Sequence, residues 1–383
     1  MARSILKISA LAFLASASVV CTAQAGGFSR GAADTDLLYE EGNFNLRAGA
    51  TIVNPTRKLT KALAPLGGSL VGTSYTDTYV IPSAAVKVNL NDDLRCAGTL
   101  SQPYGGSTSY AVPFGTSAKV SEKFSVTETA LSCGYKFDLS KGHVWLLGGV
   151  FLESFNYDLA AVGGAINVNL KSNEPGFRIG AAYTIPEIAL RAELMYRSGT
   201  THDALGTTTR VAPTGTALDG LPIGVAVPVA SGNGNLPQSI EMKLQSGIAP
   251  GWIAFGGVKW TDWSVTETLD LTLAPGVNRQ NLYYWRDGWT VSGGIGHAFT
   301  DKLSGAVSLT WDRGVGTGWD LSSDTYTLGS GVIYKDDLGG EMRFGGGLTY
   351  IASAAEDKYP GPLNTSVSSG WAWAVGGSYK AKW

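Results

Sequence analysis

The side chains that could perform chemistry are few in this sequence. Its three histidines, His143, His202 and His297, have no second histidine or cysteine at a metal-ligand spacing. No serine is marked as a nucleophile, although a catalytic triad is defined by geometry and not by order in the chain. The glycine run at 345–347 is not followed by a helical pattern, so it predicts no phosphate cradle. We therefore expect no metal, no cofactor and no enzymatic activity.

Charged and apolar side chains point instead to binding. Arg178, Arg191 and Arg197 fall on the polar faces of alternating segments, where a guanidinium can hold a carboxylate by charge-assisted hydrogen bonds. Their alternative role is pairing with carboxylates of the same chain. The stretch 221–230 is almost entirely apolar, which in an exposed loop is typical of a binding surface; the alternative is a loop that packs on its neighbours and caps the molecule. The loop candidates are Leu221, Ile223, Val225, Val227 and Val229.

The elements that must position these residues are indicated by alternation. From Trp371 to Trp383, apolar residues alternate with small or polar ones, and aromatic residues stand at both ends of the apolar face. The segments 177–185, 188–197 and 240–248 alternate in the same way, with charged residues on one face. In a soluble sandwich the terminal strand would be an exposed apolar stripe. The predicted fold class is therefore all-β, a transmembrane antiparallel β-barrel.

Fourteen strands are predicted, which places both ends of the barrel sequence at one rim. Short turns alternate with long connections, the asymmetry of an outer-membrane barrel with periplasmic turns and extracellular loops. Long connections are expected at 59–83, 103–119, 158–170, 198–238, 271–281, 315–323 and 353–369. The predicted strands are 43–58, 84–90, 94–104, 121–138, 144–157, 171–185, 188–198, 239–248, 252–270, 282–299, 303–314, 324–335, 341–352 and 370–383.

The N-terminus and the composition are typical of an exported protein. Residues 1–25 have a basic start, an apolar core and a small-residue cleavage site, the pattern of a secretory signal peptide. The remaining chain has 27 basic and 31 acidic side chains, which does not favour nucleic acid as a partner. It contains no apolar run near the ~20 residues of a membrane helix. The predicted organisation is a signal peptide at 1–25, a hatch segment at 26–42 and a barrel at 43–383.

The interior of a fourteen-stranded barrel must hold water or a plug. Residues 26–42 mix acidic and apolar side chains, so we expect them to enter the lumen as a hatch and to pair with inward arginines; a solvated periplasmic tail is the alternative. Residues 145–152 are apolar on both faces, and we expect Leu146 and Val150 to line the lumen. The hatch candidates are Phe28, Asp34, Asp36, Glu40 and Glu41.

Two cysteines remain after the expected cleavage. Cys96 and Cys133 fall on neighbouring predicted strands, near the same height and on the same face. Export permits a disulfide between them. The alternative is that they are two small apolar residues on a lipid-facing wall.

Four motifs occur in a fixed order along the chain. They are an opening strand at 43–55, a Trp-bearing strand at 252–263, an aromatic-Asp-aromatic pattern at 285–294 and the pair at 311–312. In this order they resemble the long-chain fatty acid transporters of the bacterial outer membrane, a family that includes aromatic-hydrocarbon channels. The resemblance implies fourteen strands, an N-terminal hatch, capture at apolar loops, a luminal site, and exit by a hatch shift or a lateral opening. Residues 38–42 stand where better-known members carry Asn-Pro-Ala, and the hatch is shorter.

These features together predict passive uptake of hydrophobic molecules through the bacterial outer membrane, with long-chain fatty acids as the expected cargo. Each CH₂ buried in an apolar groove contributes ~0.8 kcal/mol, so a long chain can bind in a modest groove. The expected partners are this ligand, outer-membrane lipid and lipopolysaccharide, and the barrel assembly machinery, with the protein as a monomer. A general or selective porin for polar solutes and a structural or adhesive surface barrel are the alternatives.

Overall fold

The computed structural model describes residues 27–359 and 363–382, which fold mainly as β-strands. The expected signal peptide and Trp383 lie outside the described residues. No helix within them is long and apolar enough to cross a membrane. The strands are β1 (Phe44–Thr56), β2 (Leu59–Lys61), β3 (Tyr79–Asn89), β4 (Leu94–Phe114), β5 (Lys119–Leu139), β6 (Gly142–Ala161), β7 (Ile166–Ile185), β8 (Leu190–Arg197), β9 (Thr200–Arg210), β10 (Ala226–Leu236), β11 (Ser239–Ala249), β12 (Trp252–Thr261), β13 (Thr268–Ala274), β14 (Val277–Leu282), β15 (Gly288–Ala298), β16 (Leu303–Arg313), β17 (Thr325–Lys335), β18 (Glu341–Ile351), β19 (Ala354–Glu356), β20 (Thr365–Val367) and β21 (Gly370–Lys382). Short 3₁₀ helices occupy Thr35–Tyr39, Val162–Gly164, Pro186–Ile188, Ala217–Gly220 and Trp263–Val265.

An antiparallel barrel forms the body of the molecule. Its wall follows the order β1, β3, β4, β5, β6, β7, β8, β11, β12, β15, β16, β17, β18 and β21. It closes where β21 pairs with β1, from Asn45 opposite Lys382 to Thr56 opposite Trp371. The prediction of a fourteen-stranded antiparallel barrel is confirmed.

The two faces of the wall carry opposite chemistry. On β7, Phe177 and Ile179 are exposed on the outer face, whereas Arg178 between them is buried. On β21, Trp371 and Trp373 are likewise exposed. A period of two therefore places the apolar residues outside and the charged residues inside, as in a barrel whose outer surface meets lipid.

The connections at the two rims of the barrel differ in length. The turn rim consists of the short connections 90–93, 140–141, 186–189, 250–251, 299–302 and 336–340. In the described residues, the loop rim consists of 57–78, 115–118, 162–165, 211–225, 275–276, 314–324, 352–359 and 363–369.

Part of the wall is taller than the sequence predicted. β4 to β7 each have 20 or 21 residues, β9 and β10 prolong β8 and β11, and the β13–β14 hairpin prolongs the wall beyond β12. The expected long connections at 103–119, 158–170, 198–238 and 271–281 are therefore mostly strand, and that prediction was wrong. Above the lipid both strand faces meet water or protein, so the alternation that marks a membrane strand is lost there.

The wall is interrupted between β3 and β4. β3 pairs with β1 from Tyr79 to Val88, but among the described residues it pairs with β4 from Ala84 to Asn89 alone. Pro82 lies in the part without a β4 partner, where its missing N–H costs no ladder hydrogen bond. A lateral gap, defined by residues 79–83 of β3 and 101–105 of β4, therefore opens in the wall.

A small sheet covers part of the loop rim. β2, β20 and β19 pair with one another there. Arg57 is buried beneath them, and its guanidinium donates to Ser323 Oγ at 3.0 Å and to the Ala352 carbonyl at 2.7 Å. One arginine thus joins the loops at 57–78, 314–324 and 352–359 into a single cap.

Candidate functional site

The N-terminal segment, residues 27–43, occupies the lumen. Its 3₁₀ helix, Thr35–Tyr39, places Leu37 and Leu38 in fully buried positions. Leu38 packs in a cluster with Trp145 and Leu147 of β6. The Tyr39 hydroxyl donates to Glu193 of β8 at 2.7 Å. An apolar anchor and polar contacts on several strands therefore hold the segment inside the barrel.

Ion pairs tie the acidic residues of the segment to the wall. Glu40 accepts from Lys380 at 2.7 Å and from Arg343 at 3.3 Å, and it also pairs with Arg47. Asp36 pairs with Arg191 at 3.1 Å, and Asp34 pairs with Arg47. Glu41 differs from these residues because its side chain is exposed. Buried ion pairs of this kind are strongly destabilised when one partner is removed, since the other charge stays buried.

The start of the segment fills the lateral gap. Ser29 forms a β-bridge with Tyr104, and the backbone N–H groups of Arg30 and Gly31 donate to β4 carbonyls at 2.8 and 2.9 Å. The Arg30 guanidinium lies 3.9 Å from the centre of the Tyr79 ring on β3. The N-terminal segment therefore takes the pairing position that β3 leaves open on β4.

The three arginines singled out from the sequence have different partners. Arg191 pairs with the N-terminal segment, as described. Arg178 and Arg197 instead pair with Glu128 of β5, and Arg197 also pairs with Glu153 of β6. Both glutamates are buried. Among the described residues, Arg178 and Arg197 make no ion pair with the N-terminal segment, because neighbouring wall carboxylates already satisfy them.

The placement of Leu146 and Val150 in the lumen was wrong. Their side chains are 55% and 62% exposed on the outer face, whereas Trp145, Leu147 and Phe151 point inward. Both faces of this stretch are apolar, so its pattern alone does not reveal which face is inside. The available signal was Glu153, two residues beyond Phe151 on the same face, because a charged side chain faces the lumen and not the lipid.

The apolar stretch 221–230 does not form the expected groove. Leu221 and Val229 pack against the buried cluster around Leu218, whereas Ile223 and Val225 remain exposed on the outside. None of the five loop candidates, including half-buried Val227, lines a described cavity. The stretch contributes the tip of the β9–β10 hairpin and the start of β10, so its apolar residues partly serve packing.

A cavity of about 380 Å³ lies inside the tall wall, beneath the loop rim; we call it the upper cavity. Nine aromatic rings from distant parts of the chain contribute to its lining. Aliphatic side chains of β7, β10 and β13 complete its apolar wall. Its aromatic lining comprises Phe28, Tyr110, Phe114, Phe124, Phe155, Tyr157, Tyr283, Trp319 and Tyr359, and its ionisable lining otherwise comprises Lys119, Glu122, His202, Asp320 and Glu356.

Phe28 of the N-terminal segment forms the floor of this cavity. Its ring centre lies 4.6 Å from Phe124 and 4.8 Å from Trp285, with Tyr283 at 5.7 Å and Trp263 at 6.2 Å. Most of these contacts are edge-to-face, the geometry that aromatic quadrupoles favour. The residue that closes the cavity therefore belongs to the same segment that fills the lateral gap.

A second cavity of about 400 Å³, the lower cavity, lies on the other side of the N-terminal segment. Its wall carries many charged groups, with serine and threonine hydroxyls and a few apolar side chains between them. The charged groups that line it are Arg30, Arg47, Arg191, Lys243, Lys259, Arg343, Asp34, Asp36 and Glu241. The N-terminal segment thus separates an aromatic chamber from a chamber whose lining has more basic than acidic groups.

Cys96 and Cys133 meet on the outer face near the turn rim. Cys96 on β4 and Cys133 on β5 stand opposite each other in register and are joined by a disulfide, with a Cα–Cα distance of 4.0 Å. Leu131 and Tyr135, two residues to either side of Cys133, are exposed outward. The bridge therefore links neighbouring wall strands away from both cavities.

This combination of a closed barrel, a luminal N-terminal segment and an apolar chamber agrees with a match to a family model. The model described as "Outer membrane protein transport protein (OMPP1/FadL/TodX)" matches residues 37–305. The chain belongs to this family. FadL/TodX-type proteins are outer-membrane transport proteins, so the turn rim faces the periplasm and the loop rim faces outward.

Solved structures of the FadL/TodX type share the fold. A Pseudomonas aeruginosa FadL homologue is 14% identical, with 94% of this chain and 96% of that chain covered and a TM-score of 0.74. The Pseudomonas putida toluene transporter TodX is also 14% identical, with 95% and 98% covered and a TM-score of 0.64. The monoaromatic hydrocarbon channel CymD is 13% identical, with 91% and 90% covered and a TM-score of 0.57. No curated protein matches the chain.

Of the aromatic residues that line the upper cavity, Phe28 alone is a candidate site residue from the sequence. The available signal was the presence of aromatic residues within expected connections, such as Tyr110 and Phe114 in 103–119 and Trp319 in 315–323. Aromatic side chains in segments that should be polar indicate a binding surface, just as a run of aliphatic residues does.

Proposed function

We propose that this FadL/TodX-type protein is a passive channel for hydrophobic molecules, and that the upper cavity is its ligand site. The observation that carries the proposal is the aromatic lining of that cavity beneath the loop rim. A ring-sized ligand that buries about 200 Å² of its surface gains ~5 kcal/mol at ~25 cal/mol per Å². Part of this gain is offset by the lost freedom of the ligand. The resulting modest affinity suits a channel, which must release what it binds.

The proposed route avoids the polar lower cavity. A hydrophobic molecule enters at the loop rim, is desolvated in the upper cavity and displaces the tip of the N-terminal segment at Phe28. It then leaves sideways through the lateral gap into the outer-membrane lipid. Arg30 and Gly31 lie in this gap and are held there by backbone hydrogen bonds and by the Tyr79 ring. Movement of a few residues, and not of the whole segment, therefore suffices to open the route.

Two cargo classes follow from the resemblance, long-chain fatty acids and aromatic hydrocarbons. The upper cavity favours the aromatic class in two ways. Flat rings pack well against its many aromatic side chains, and the lysine that the described residues contribute to its lining, Lys119, is already paired with Glu122. A fatty acid carboxylate would have to compete with Glu122 for this lysine. We propose neutral aromatic hydrocarbons as the main cargo and keep long-chain fatty acids as the second candidate.

The surroundings of the protein complete the proposal. We propose a monomer in the outer membrane, exported with cleavage of residues 1–25 and inserted by the barrel assembly machinery. Outer-membrane lipid and lipopolysaccharide would contact the exposed apolar band that includes Trp371 and Trp373.

Uptake into proteoliposomes tests this function with two sets of variants. Phe124→Ala and Phe155→Ala remove rings that line the upper cavity, and we expect each to lower the uptake of labelled toluene several-fold. Ile223→Asp and Val225→Asp alter exposed residues outside the cavity and serve as matched controls that leave uptake unchanged.

The alternatives give different results in the same preparation. A porin for polar solutes would show a steady conductance in planar bilayers and equal uptake by all four variants. A purely structural barrel would take up neither toluene nor oleate. If the two loop variants lower uptake and the two cavity variants do not, the ligand site lies at 221–230 and the proposal is wrong.

A further inference from the structure

The upper cavity contains more carboxyl groups than an apolar ligand site requires. Glu122, Asp320 and Glu356 line it together with Lys119 as its lysine. Lys119 pairs with Glu122, which also accepts from the Tyr157 hydroxyl at 2.7 Å. The second and third carboxyl groups are therefore not neutralised by the lysine of the cavity.

Asp320 and Glu356 lack a basic partner in direct contact. Among residues 27–359 and 363–382, neither carboxylate lies within 4 Å of a basic nitrogen. Asp320 Oδ2 accepts from the backbone N–H and hydroxyl of Ser322, but its Oδ1 is fully buried and has no hydrogen bond of normal geometry, although the Trp285 indole lies near. Burial raises the pKa of both Asp320 and Glu356. A buried oxygen of this kind favours a donor or a cation.

The nearest basic side chains are engaged elsewhere. Arg57 donates to the Ser323 hydroxyl and to the Ala352 carbonyl, and thereby holds the cap over the cavity. Lys119 is engaged with Glu122. Arg57 and Lys119 attract Asp320 and Glu356 from a distance, but both basic groups keep the contacts named above. Among the described residues that line the cavity, three carboxyl groups therefore face one lysine.

The cavity wall already holds one ammonium group against aromatic rings. Lys119 Nζ lies 6.0 Å from the centre of the Tyr110 ring and 5.9 Å from that of Phe114. Rings at this distance attract a cation through their quadrupole, and the attraction is strongest where water is excluded. The remaining rings, among them Phe155 and Tyr283, present the same chemistry to a ligand.

We infer that the upper cavity discriminates by charge, and that it accepts amphiphilic organic cations, such as arylalkylamines and quaternary ammonium compounds with an aromatic ring, over carboxylates of similar size. This inference rests on the proposed function of the cavity as the ligand site. The aromatic rings surround the apolar part and the charged head, and Asp320 and Glu356 supply the counter-charge. A neutral aromatic molecule fits the same space but gives the two carboxyl groups no cationic partner.

Competition binding tests this inference. The full-length mature protein in lipid nanodiscs is loaded with labelled toluene, and empty nanodiscs provide the background. The competitors are benzyltrimethylammonium, its uncharged isostere neopentylbenzene, and phenylpropionate. They are compared for the wild type, for the double variant Asp320→Asn with Glu356→Gln, and for Asp357→Asn, an exposed neighbour that does not line the cavity.

We expect the double variant to bind benzyltrimethylammonium about tenfold more weakly, because a desolvated charge partner is lost. Neopentylbenzene should bind the double variant and the wild type equally, and Asp357→Asn should behave as the wild type for all three compounds. Equal loss of cation and isostere would mean altered packing and would overturn the inference, as would a phenylpropionate affinity above that of the cation in the wild type. If labelled toluene does not exceed the background of empty nanodiscs, the proposed function itself fails.

Discussion

Phe28 joins the N-terminal segment to the ligand site, and Phe28→Ala is the perturbation that separates them. Truncation removes ring contacts with Phe124, Trp263, Tyr283 and Trp285. A buried Phe→Ala change costs roughly 3–5 kcal/mol. Because Phe28 is half-buried, we take the lower end, about 3 kcal/mol. At about 1.4 kcal/mol per factor of ten, this weakens docking of the segment tip roughly a hundredfold.

The weaker docking should remain confined to the tip of the N-terminal segment. The fourteen-stranded ladder does not involve the Phe28 ring, and the ion pairs of Asp36 and Glu40 hold the later part of the segment independently. We expect the Arg30 and Gly31 amides, which donate to β4 carbonyls, to exchange hydrogen up to about a hundredfold faster in the variant. Amides of the 3₁₀ helix should keep their protection, and the thermal unfolding of the barrel should not change.

Hydrogen exchange with residue-resolved mass spectrometry measures both regions in one sample. Toluene binding should weaken in the same variant, because the floor of the cavity is gone, and Phe28→Leu should lie between the variant and the wild type. Unchanged protection of Arg30 and Gly31 would refute the view that the ring holds the tip in the gap. Loss of protection through the whole segment would refute the independence of its two anchors.

Three further predictions concern the anchor, the bridge and the cap. Glu40→Gln should increase cleavage of the N-terminal segment in limited proteolysis, because the basic partners of Glu40 then stay buried without a counter-charge. Glu41→Gln alters an exposed side chain and should not increase cleavage. Equal cleavage of the two variants would refute the role of Glu40 as an anchor. Replacement of Cys96 and Cys133 by serine should lower the free energy of unfolding in urea by about 3–4 kcal/mol, the loop-closure value for a separation of 37 residues; free thiols in the unreduced wild type would contradict this. Because burial raises the pKa of Glu356, the closed cap favours the protonated form of this side chain. Protection of residues 352–359 from hydrogen exchange should therefore be greatest below the ordinary glutamate pKa of about 4.3, and it should fall as the pH rises through the raised pKa. A pH profile that Glu356→Gln leaves unchanged would refute this prediction.

The alternating pattern of the strands shows which part of the fold can be predicted from the sequence. In the lower wall, lipid lies on one side and the lumen on the other, so each strand carries an apolar and a polar face. Arg178 between Phe177 and Ile179 makes this visible in the sequence, and the count of fourteen follows. Where the wall rises beyond the lipid, as in 103–114 and 200–210, this contrast ends. For these stretches the sequence pattern therefore predicts loops, whereas the structure has strands.

The sequence by itself determined the barrel, its strand number, the family and the acidic character of the N-terminal segment, because these depend on local alternation and on motifs in order. Tertiary structure alone decided the site. Phe28, Phe124, Phe155, Tyr283 and Trp319 come together because the wall closes and the segment enters it. Strand register likewise decides that Arg178 pairs with Glu128 and that the Leu146 side chain lies on the outer face of the wall. A local pattern does not encode which distant residues share a cavity, since that is set by closure and register of the whole sheet.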